Sequence, residues 1–205
     1  MTTTTYDFNT ETSTRALDVN VPQRSGRALW APAFAMSLIG FIAGMTLAIV
    51  KAGAIADADA VLAASLNNYG IAAMFFGFMM VFTGISFAIA RILGEFRVGG
   101  GKTQEVAGSE VKTLKMPTTA KAFIVLMAMS MMILLATVIA HVVVGVQINA
   151  ETLSLVDAEQ WDLWLEAARR FAVQLYLFAI ALGLGTIIYV IRYQSIRIRE
   201  IAKTN

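Results

Sequence analysis

His141 is the only histidine of the chain, and it lies inside a long run of apolar residues. An ionisable side chain in such a run is costly to bury, so it marks a candidate functional site. The interpretation we favour is a neutral imidazole that is hydrogen-bonded to a neighbouring helix. The alternative is an axial ligand of haem b, with Met45 or Met74 as the second ligand, because both methionines are expected at a similar depth.

Besides His141, amide side chains form a second set of polar residues near the ends of apolar runs. Gln147 and Gln174 belong to it, together with Asn67 and Asn68. Hydrogen bonds between helices are the simpler explanation of such residues. A quinone headgroup site, shared with His141, is the alternative.

Several kinds of chemistry are excluded by composition. The chain has no cysteine, which removes disulfides, thiolate metal sites and thiol catalysis. We predict no metal site and no catalytic residue. Glycines 99–101 followed by Lys102 and Thr103 invite comparison with a phosphate-binding loop, but Phe96 occupies the position where that motif needs its first glycine. The net charge of +2 gives no argument for nucleic acid as a partner.

The elements that would position these residues are four apolar runs. Hydrophobic residues make up 58% of the 205-residue chain and charged residues 15%, with a mean hydropathy of +0.68. A bilayer core of roughly 30 Å requires about 20 apolar helical residues. Four stretches meet that length, at about 28–50, 71–90, 122–148 and 171–191. The sequence therefore predicts an all-α integral membrane protein, a four-transmembrane-helix bundle over residues 28–193.

The distribution of basic residues predicts the orientation of these spans. Thirteen of the sixteen lysines and arginines lie before the first span, between the second and third, or after the fourth. The other two loops hold only Lys51, Arg169 and Arg170, beside seven acids. The positive-inside rule then places both termini in the cytoplasm and residues 51–70 and 149–170 outside. We expect the plasma membrane of a prokaryote as the location.

Small and aromatic residues indicate how the spans pack and where they are anchored. In lipid, helices approach through small residues, and the candidate packing glycines are Gly40, Gly44, Gly70, Gly77, Gly84 and Gly183. Indole rings favour the headgroup level, and the candidate anchors are Trp30, Trp161 and Trp164. In 158–170 the two outer tryptophans share one helical face with Leu165 and Ala168, and Asp162 and Arg169 lie away from it. We interpret this segment as a membrane-surface helix, either separate from the fourth span or continuous with it, and a docking surface for a partner is the alternative.

The segments outside the spans are expected to be short. Residues 1–27 form a polar cytoplasmic segment without a cleavable signal, and residues 194–205 form a basic tail that faces anionic headgroups. The outer loops predict short amphipathic interfacial helices. The cytoplasmic loop predicts a glycine hinge at 99–101 and then a small hairpin that turns at Gly108.

These features favour a non-catalytic structural subunit of a larger membrane complex, with other membrane subunits as partners in a homo- or hetero-oligomer. No charge lies deep in a span, and no soluble domain is present to carry an active site. The alternative is an electron-transfer anchor that binds one haem b or a quinone through His141. A small-molecule channel or transporter is a weaker alternative, because such proteins keep clustered polar residues at the midplane.

Overall fold

The computed structural model describes residues 8–12 and 18–204, and within them it shows four long helices and two short strands. The helices are α1 (Val21–Ala56), α2 (Ala60–Val106), α3 (Thr118–Asn149) and α4 (Leu155–Thr204). The strands are β1 (Thr10–Thr12) and β2 (Lys112–Leu114). The all-α class is confirmed, and each helix is long and apolar enough to cross a membrane. Of the predicted terminal segments, residues 1–7, 13–17 and 205 lie outside the described residues.

Three of the four helices begin at polar caps that lie well before the predicted spans, whereas α3 follows Pro117 without a side-chain cap. Asn20 and Gln23 form a reciprocal capping box at the start of α1. Asp59 accepts a hydrogen bond from the N–H of Leu62 at 2.9 Å and starts α2. Ser154 accepts from the N–H of Asp157 at 3.1 Å and starts α4. The segments predicted as short interfacial helices are helical, but they are the first turns of α2 and α4 and not separate elements, so 158–170 is continuous with the fourth apolar run.

Three helices end in the same hydrogen-bonded turn, which allows short connections. After α1, the N–H of Asp59 bonds to the carbonyl of Ala54, and Ala58 adopts a positive φ of 59°. Glu151 holds the equivalent position after α3, with a φ of 55°, and Gly108 holds it after α2. Glycine is the usual residue there, since a side chain costs about 1 kcal/mol or more in this conformation.

The helices form a three-helix bundle with a fourth helix on its flank. α2, α3 and α4 pack against one another, whereas α1 packs extensively against α2 alone. The bundle core contains Met79, Leu134 and Tyr176, which are almost fully buried. We call the end with the α1–α2 and α3–α4 connections the loop end. The opposite end, where β1, β2 and the end of α4 lie, is the terminal end.

Basic residues gather at two levels of the bundle. At the loop end, Lys51 donates to the side chain of Asn67 at 2.7 Å, and the neighbouring Asn68 contacts His141. We call this level the loop-end belt, and Arg169 also belongs to it. At the terminal end, the backbone of Arg91 lies against Gly26.

The second level, the terminal-end belt, holds Arg27, Arg91 and Lys121. Lys121 belongs to it because Phe123, two residues further along α3, packs against Ile89 of α2. Lys121 and His141 are 20 residues apart on α3, which is about 30 Å of helix. That separation equals the thickness of a bilayer core of roughly 30 Å.

The terminal end differs from the predicted hinge and hairpin. Glycines 99–101 lie inside α2, and a Cβ at Gly100 would collide with the side chains of Arg197 and Gln194. Gly100 thus permits a close approach of α4 rather than a bend. β2 pairs antiparallel with β1, with Glu11 opposite Thr113, so the loop joins the N-terminal segment instead of folding on itself.

Candidate functional site

Three polar side chains from three helices meet at the loop-end belt. Asn68 of α2 lies 2.7 Å from Nδ1 of His141 on α3, and Arg169 of α4 lies 2.7 Å from Nε2. Exposed fractions are 2% for Asn68, 0% for His141 and 8% for Arg169. We call these three residues the polar lock, because their bonds link α2, α3 and α4 at a buried position.

The partners determine the protonation of the imidazole. A guanidinium has only donors, so Nε2 of His141 must accept from Arg169. Nδ1 therefore carries the proton and donates it to Oδ1 of Asn68. The side-chain nitrogen of Asn68 in turn donates to the carbonyl of Ala64 at 3.3 Å. The imidazole is neutral, and both its nitrogens are used by the protein.

The polar lock contains no carboxylate, and the charge of Arg169 is stabilised by an aromatic ring instead. Its guanidinium carbon lies 4.7 Å from the centre of the Phe75 ring, which is the geometry of a cation–π interaction. The carboxylate of Asp162 lies nearby, with Oδ1 3.7 Å from Nδ1 of His141. That oxygen is buried without a hydrogen-bond partner. Burial raises the pKa of the Asp162 carboxyl, although the charge of Arg169 opposes this shift.

A close contact between α2 and α3 holds the polar lock in place. Ser65 donates to the carbonyl of Gly145 at 3.0 Å, and the ring of Tyr69 covers the same glycine. Beyond the belt, Val144 and Ile148 form a small buried cluster with the first turns of α4. His141 is therefore positioned by apolar packing above it as well as by hydrogen bonds beside it.

The methionines proposed as haem ligands lie elsewhere. Met45 is 68% exposed and Met74 is 45% exposed, whereas His141 is fully buried. As arranged, His141 also has no lone pair left for iron. Among residues 8–12 and 18–204, no three His, Cys, Asp or Glu residues lie close enough together to hold a metal ion. The arrangement does not fit an axial haem ligand.

The two glutamines also lie apart from the polar lock. Gln147 is exposed on α3, two residues before that helix ends, and Gln174 is exposed on α4. The amide that does contact His141 belongs to Asn68, which the sequence placed only in a general polar set. The structure therefore does not assemble the proposed quinone site from Gln147, Gln174 and His141.

All but one of the candidate packing glycines lie where two helices approach closely. A Cβ at Gly40 would lie 2.8 Å from the backbone nitrogen of Gly77, and one at Gly77 would lie 2.9 Å from the Phe41 ring. Gly44, Gly84 and Gly183 face Met74, Phe34 and Ile89 respectively. Gly70 has more room, with Leu47 at 3.7 Å. Apart from Gly183, all of these contacts join α1 to α2.

The tryptophans mark the two ends of the molecule. Trp30 lies under the guanidinium of Arg91, 5.8 Å from the ring centre, at the terminal-end belt. Trp161 and Trp164 are 53% and 71% exposed at the loop end, so they face away from the bundle. The buried face of this segment contains Ala158, Leu165 and Arg169 instead. The sequence grouped Leu165 with the two tryptophans on one face and placed Arg169 away from it, whereas in the structure Leu165 and Arg169 are both buried and the tryptophans are exposed.

A second buried arginine, which sequence reasoning assigned to a lipid-facing tail, lies at the terminal end. Arg197 is 3% exposed and donates to the carbonyl of Lys112 at 2.6 Å and to the side chains of Gln104 and Gln194. Its guanidinium lies 5.0 Å from the centre of the Tyr193 ring, and the Tyr193 hydroxyl donates to the same Lys112 carbonyl. We call Arg197, Gln104 and Tyr193 the strand anchor, because they hold β2 against α2 and α4.

Comparisons of this chain with protein-family models, with curated proteins and with solved structures give no match. The geometry of the four helices and of their two polar clusters is therefore the basis on which a function is proposed.

Proposed function

We propose that this chain is a multi-pass membrane protein and a non-catalytic structural subunit of a larger membrane assembly. The two belts, about 30 Å apart along α3, support insertion with the belts at the two faces of a bilayer. The distribution of lysine and arginine supports a cytoplasmic terminal end, in the plasma membrane of a prokaryote. Anionic headgroups would then meet the basic residues of that end.

The observation that carries the subunit role is the exposed side chain of Gln174. This residue lies five positions after Arg169, so it is about 7.5 Å inside the loop-end belt. It points away from the buried residues Ala172 and Tyr176 on either side of it. An amide that faces hydrocarbon loses its hydrogen bonds, and in membranes such residues commonly bond to a neighbouring helix.

Small residues continue the same face of α4. Ala181 and Gly185 follow Gln174 after seven and eleven residues, which places all three on one stripe of the helix. Both are exposed, and nothing lies within 4 Å of a Cβ built at Gly185. We call Gln174, Ala181 and Gly185 the open stripe. Phe178 lies on the same face between Gln174 and Ala181 and is 57% exposed, so close approach of a partner helix is possible at Ala181 and Gly185, while its contact nearer the loop end would include the Phe178 ring and the amide of Gln174.

The polar lock supports a structural role rather than catalysis. Its ring nitrogens are bonded to protein groups, so no base, acid or ligand position is free in this arrangement. Its bonds tie three helices together at the level where α2 and α4 leave the apolar core. We infer that the lock fixes the bundle that presents the open stripe.

Substitution of Gly185 tests the subunit role directly. Gly185→Leu raises the helix propensity of an exposed position by roughly 1 kcal/mol, so the isolated chain should become no less stable. The same change fills the open stripe and should remove the chain from its assembly. The measurement is the detergent-corrected mass of the complex extracted gently from native membranes. Ala128→Leu, on an exposed face of α3, is the matched control.

Gln174→Leu separates a contact from simple exposure to lipid. If lipid covers the stripe, leucine is the better residue and nothing is lost. If a partner helix covers it, the assembly should weaken about tenfold or less, as expected for one interhelical hydrogen bond of roughly 1 kcal/mol. A wild-type chain that stays a monomer near 22.2 kDa in gently solubilised membranes would contradict the subunit role.

The proposed orientation can be tested by labelling single introduced cysteines, because the chain contains no cysteine of its own. Met116→Cys lies on the exposed connection between β2 and α3, and Glu159→Cys lies on the exposed side of α4 beyond the loop-end belt. A membrane-impermeant maleimide added to intact cells should label Glu159→Cys alone. Labelling of both positions, or of Met116→Cys alone, would refute the proposed topology.

A further inference from the structure

A surface pocket of about 380 Å³ lies at the loop end, outside the polar lock and away from the open stripe. It is lined by Leu153, Asp157, Gln160, Trp161 and Trp164. Its volume falls within the range of roughly 300–1,000 Å³ that is typical of small-molecule sites. The four helical residues recur at intervals of three and four, so one face of α4 supplies nearly the whole wall.

We propose that this pocket binds a quaternary ammonium group. Two indole rings line it, and tryptophan is the side chain whose ring face attracts an organic cation most strongly. The Asp157 carboxylate supplies a negative charge at the same wall, and Gln160 and Leu153 complete a surface that is partly polar and partly apolar. Exposed indoles beside a carboxylate are the usual elements of sites for choline-like groups.

The charge of the surrounding segment favours a cation. Residues 150–170 contain two bases, Arg169 and Arg170, against five acids, namely Glu151, Asp157, Glu159, Asp162 and Glu166, which leaves a net charge of −3. Arg170 pairs with Glu166, so the acids that remain without an arginine beside them lie nearer the pocket. The amino end of α4 contributes a partial positive charge of about half a unit, which opposes cation binding near the first turn. The net formal charge of −3 still outweighs that contribution, so the field at the pocket attracts cations and weakens with salt.

The distance of the pocket from the apolar core of the bilayer is compatible with two sources of a quaternary ammonium group. Trp164 and Trp161 lie five and eight residues before Arg169, which is about 7–12 Å beyond the loop-end belt. The headgroup layer of a bilayer extends about 5–7 Å beyond the apolar core. The ammonium group could therefore belong to a choline headgroup or to a soluble cation. This site is independent of the proposed subunit role.

Tryptophan fluorescence of the full-length chain tests the site. Trp30→Phe removes the third indole, which lies at the terminal end, so that emission reports on Trp161 and Trp164 alone. The protein is placed in nanodiscs of phosphatidylglycerol, whose headgroup carries no ammonium. Titration with tetramethylammonium chloride against sodium chloride at equal ionic strength should change the emission saturably, with half-saturation near the millimolar range. The uncharged tert-butanol, of similar shape, should give no saturable change.

Variants assign the change to the pocket. Trp161→Leu should weaken binding at least tenfold, whereas Trp161→Phe should keep part of it, because phenylalanine retains a weaker ring. Asp157→Asn should weaken binding severalfold. Glu159→Gln removes the same charge from a neighbouring exposed residue that does not line the pocket, and should change binding less than twofold.

A second titration in phosphatidylcholine nanodiscs identifies the source. Emission that starts at its saturated value and no longer responds to tetramethylammonium assigns the site to the lipid headgroup. An unchanged titration assigns it to a soluble cation. No saturable change in phosphatidylglycerol, an equal response to tert-butanol, or full retention by Trp161→Leu would overturn the proposal.

Discussion

The polar lock and the strand anchor both place a buried arginine of α4 among uncharged acceptors, but the polar lock joins three long helices, whereas the strand anchor joins a short strand to two helices. Arg169 bonds to a side chain of another long helix, so it helps to hold three helices at one level. Arg197 bonds to Gln104 and to the backbone of β2, so it holds a short strand against two helices that are already packed. A cluster at a crossing of helices supports the whole bundle, whereas a cluster at a loop supports only that loop.

The largest effect is expected at the centre of the polar lock. His141→Leu leaves the buried charge of Arg169 without its acceptor and leaves Oδ1 of Asn68 without its donor. We expect a loss of about 3–5 kcal/mol in the free energy of unfolding, which is typical when one partner of a buried charged contact is removed. His141→Gln can keep one of the two bonds and should lose about 1 kcal/mol. Reversible unfolding in mixed detergent measures both.

Two outcomes would contradict this role for His141. Equal losses for His141→Leu and His141→Gln would show that shape rather than hydrogen bonding matters at this position. An absorption band of haem in the purified wild-type protein, lost in His141→Gln, would restore the electron-transfer hypothesis.

The helices and His141 of the polar lock could be predicted from the sequence, whereas the burial of Arg169 could not. The four apolar runs and the basic residues at their ends follow from the hydropathy of the chain, and the helices do contain those runs. His141 was recognisable as a polar residue that needs a partner. Its partner Arg169 was assigned to a solvent face, because Trp161, Trp164 and Leu165 share a helical stripe. The true buried stripe is visible if the spacing of Ala172 and Ala179 is extended back by sevens, to Leu165 and Ala158.

Other features could not be predicted from local patterns. The pairing of β1 with β2 joins residues about 100 positions apart, and three-residue strands carry almost no periodic signal. Glycines 99–101 suggested a hinge because glycine is flexible in isolation. They remain helical because the long side chains of Gln194 and Arg197 pack across Gly100. Contacts between residues distant in sequence determine both the pairing of β1 with β2 and the helical conformation of glycines 99–101.

Replacing Arg169 or Arg197 by methionine tests whether the polar lock supports the whole bundle and the strand anchor only its strand. Arg197→Met removes hydrogen bonds to a charged group, which are worth roughly 1.5–3 kcal/mol each before relaxation. We expect the loss to appear locally, as faster amide hydrogen exchange in Thr10–Thr12 and Lys112–Leu114. Arg169→Met should instead lower the free energy of global unfolding. The distinction between the two clusters fails if Arg197→Met destabilises the bundle as much as Arg169→Met does.

A smaller effect is expected at the ring that supports the strand anchor. Tyr193→Phe keeps the ring against Arg197 but removes the hydroxyl that donates to the carbonyl of Lys112. That carbonyl still accepts from Arg197, so the loss should be about 0.5–1.5 kcal/mol, again confined to exchange at β2. Tyr189→Phe is the matched control, because the rings of Tyr189 and Tyr193 both contact the Phe8 ring, with centroid distances of 5.1 and 5.3 Å. Exchange at β2 that is equally fast in both variants would show that the rings, not the hydroxyl, hold the strand.

The smallest effect is expected from Asp162, beside the polar lock, and it should depend on pH. Burial raises the pKa of this carboxyl, so the folded protein binds the proton more tightly than the unfolded chain does. The group therefore favours folding below its ordinary pKa, and that contribution is lost as the pH rises through its folded value. At neutral pH the folded protein bears the cost of burying a charged carboxylate, and Asp162→Asn removes that cost because the amide carries no charge. At neutral pH the variant should match or slightly exceed the wild type, by less than about 1 kcal/mol, because the side chain is 31% exposed. Unfolding of both proteins from pH 7 down to about pH 3 measures the difference, which should shrink as Asp162 becomes protonated. A variant that is less stable at pH 7 and gains on the wild type as the pH falls would show that the carboxylate stabilises Arg169 more than its burial costs.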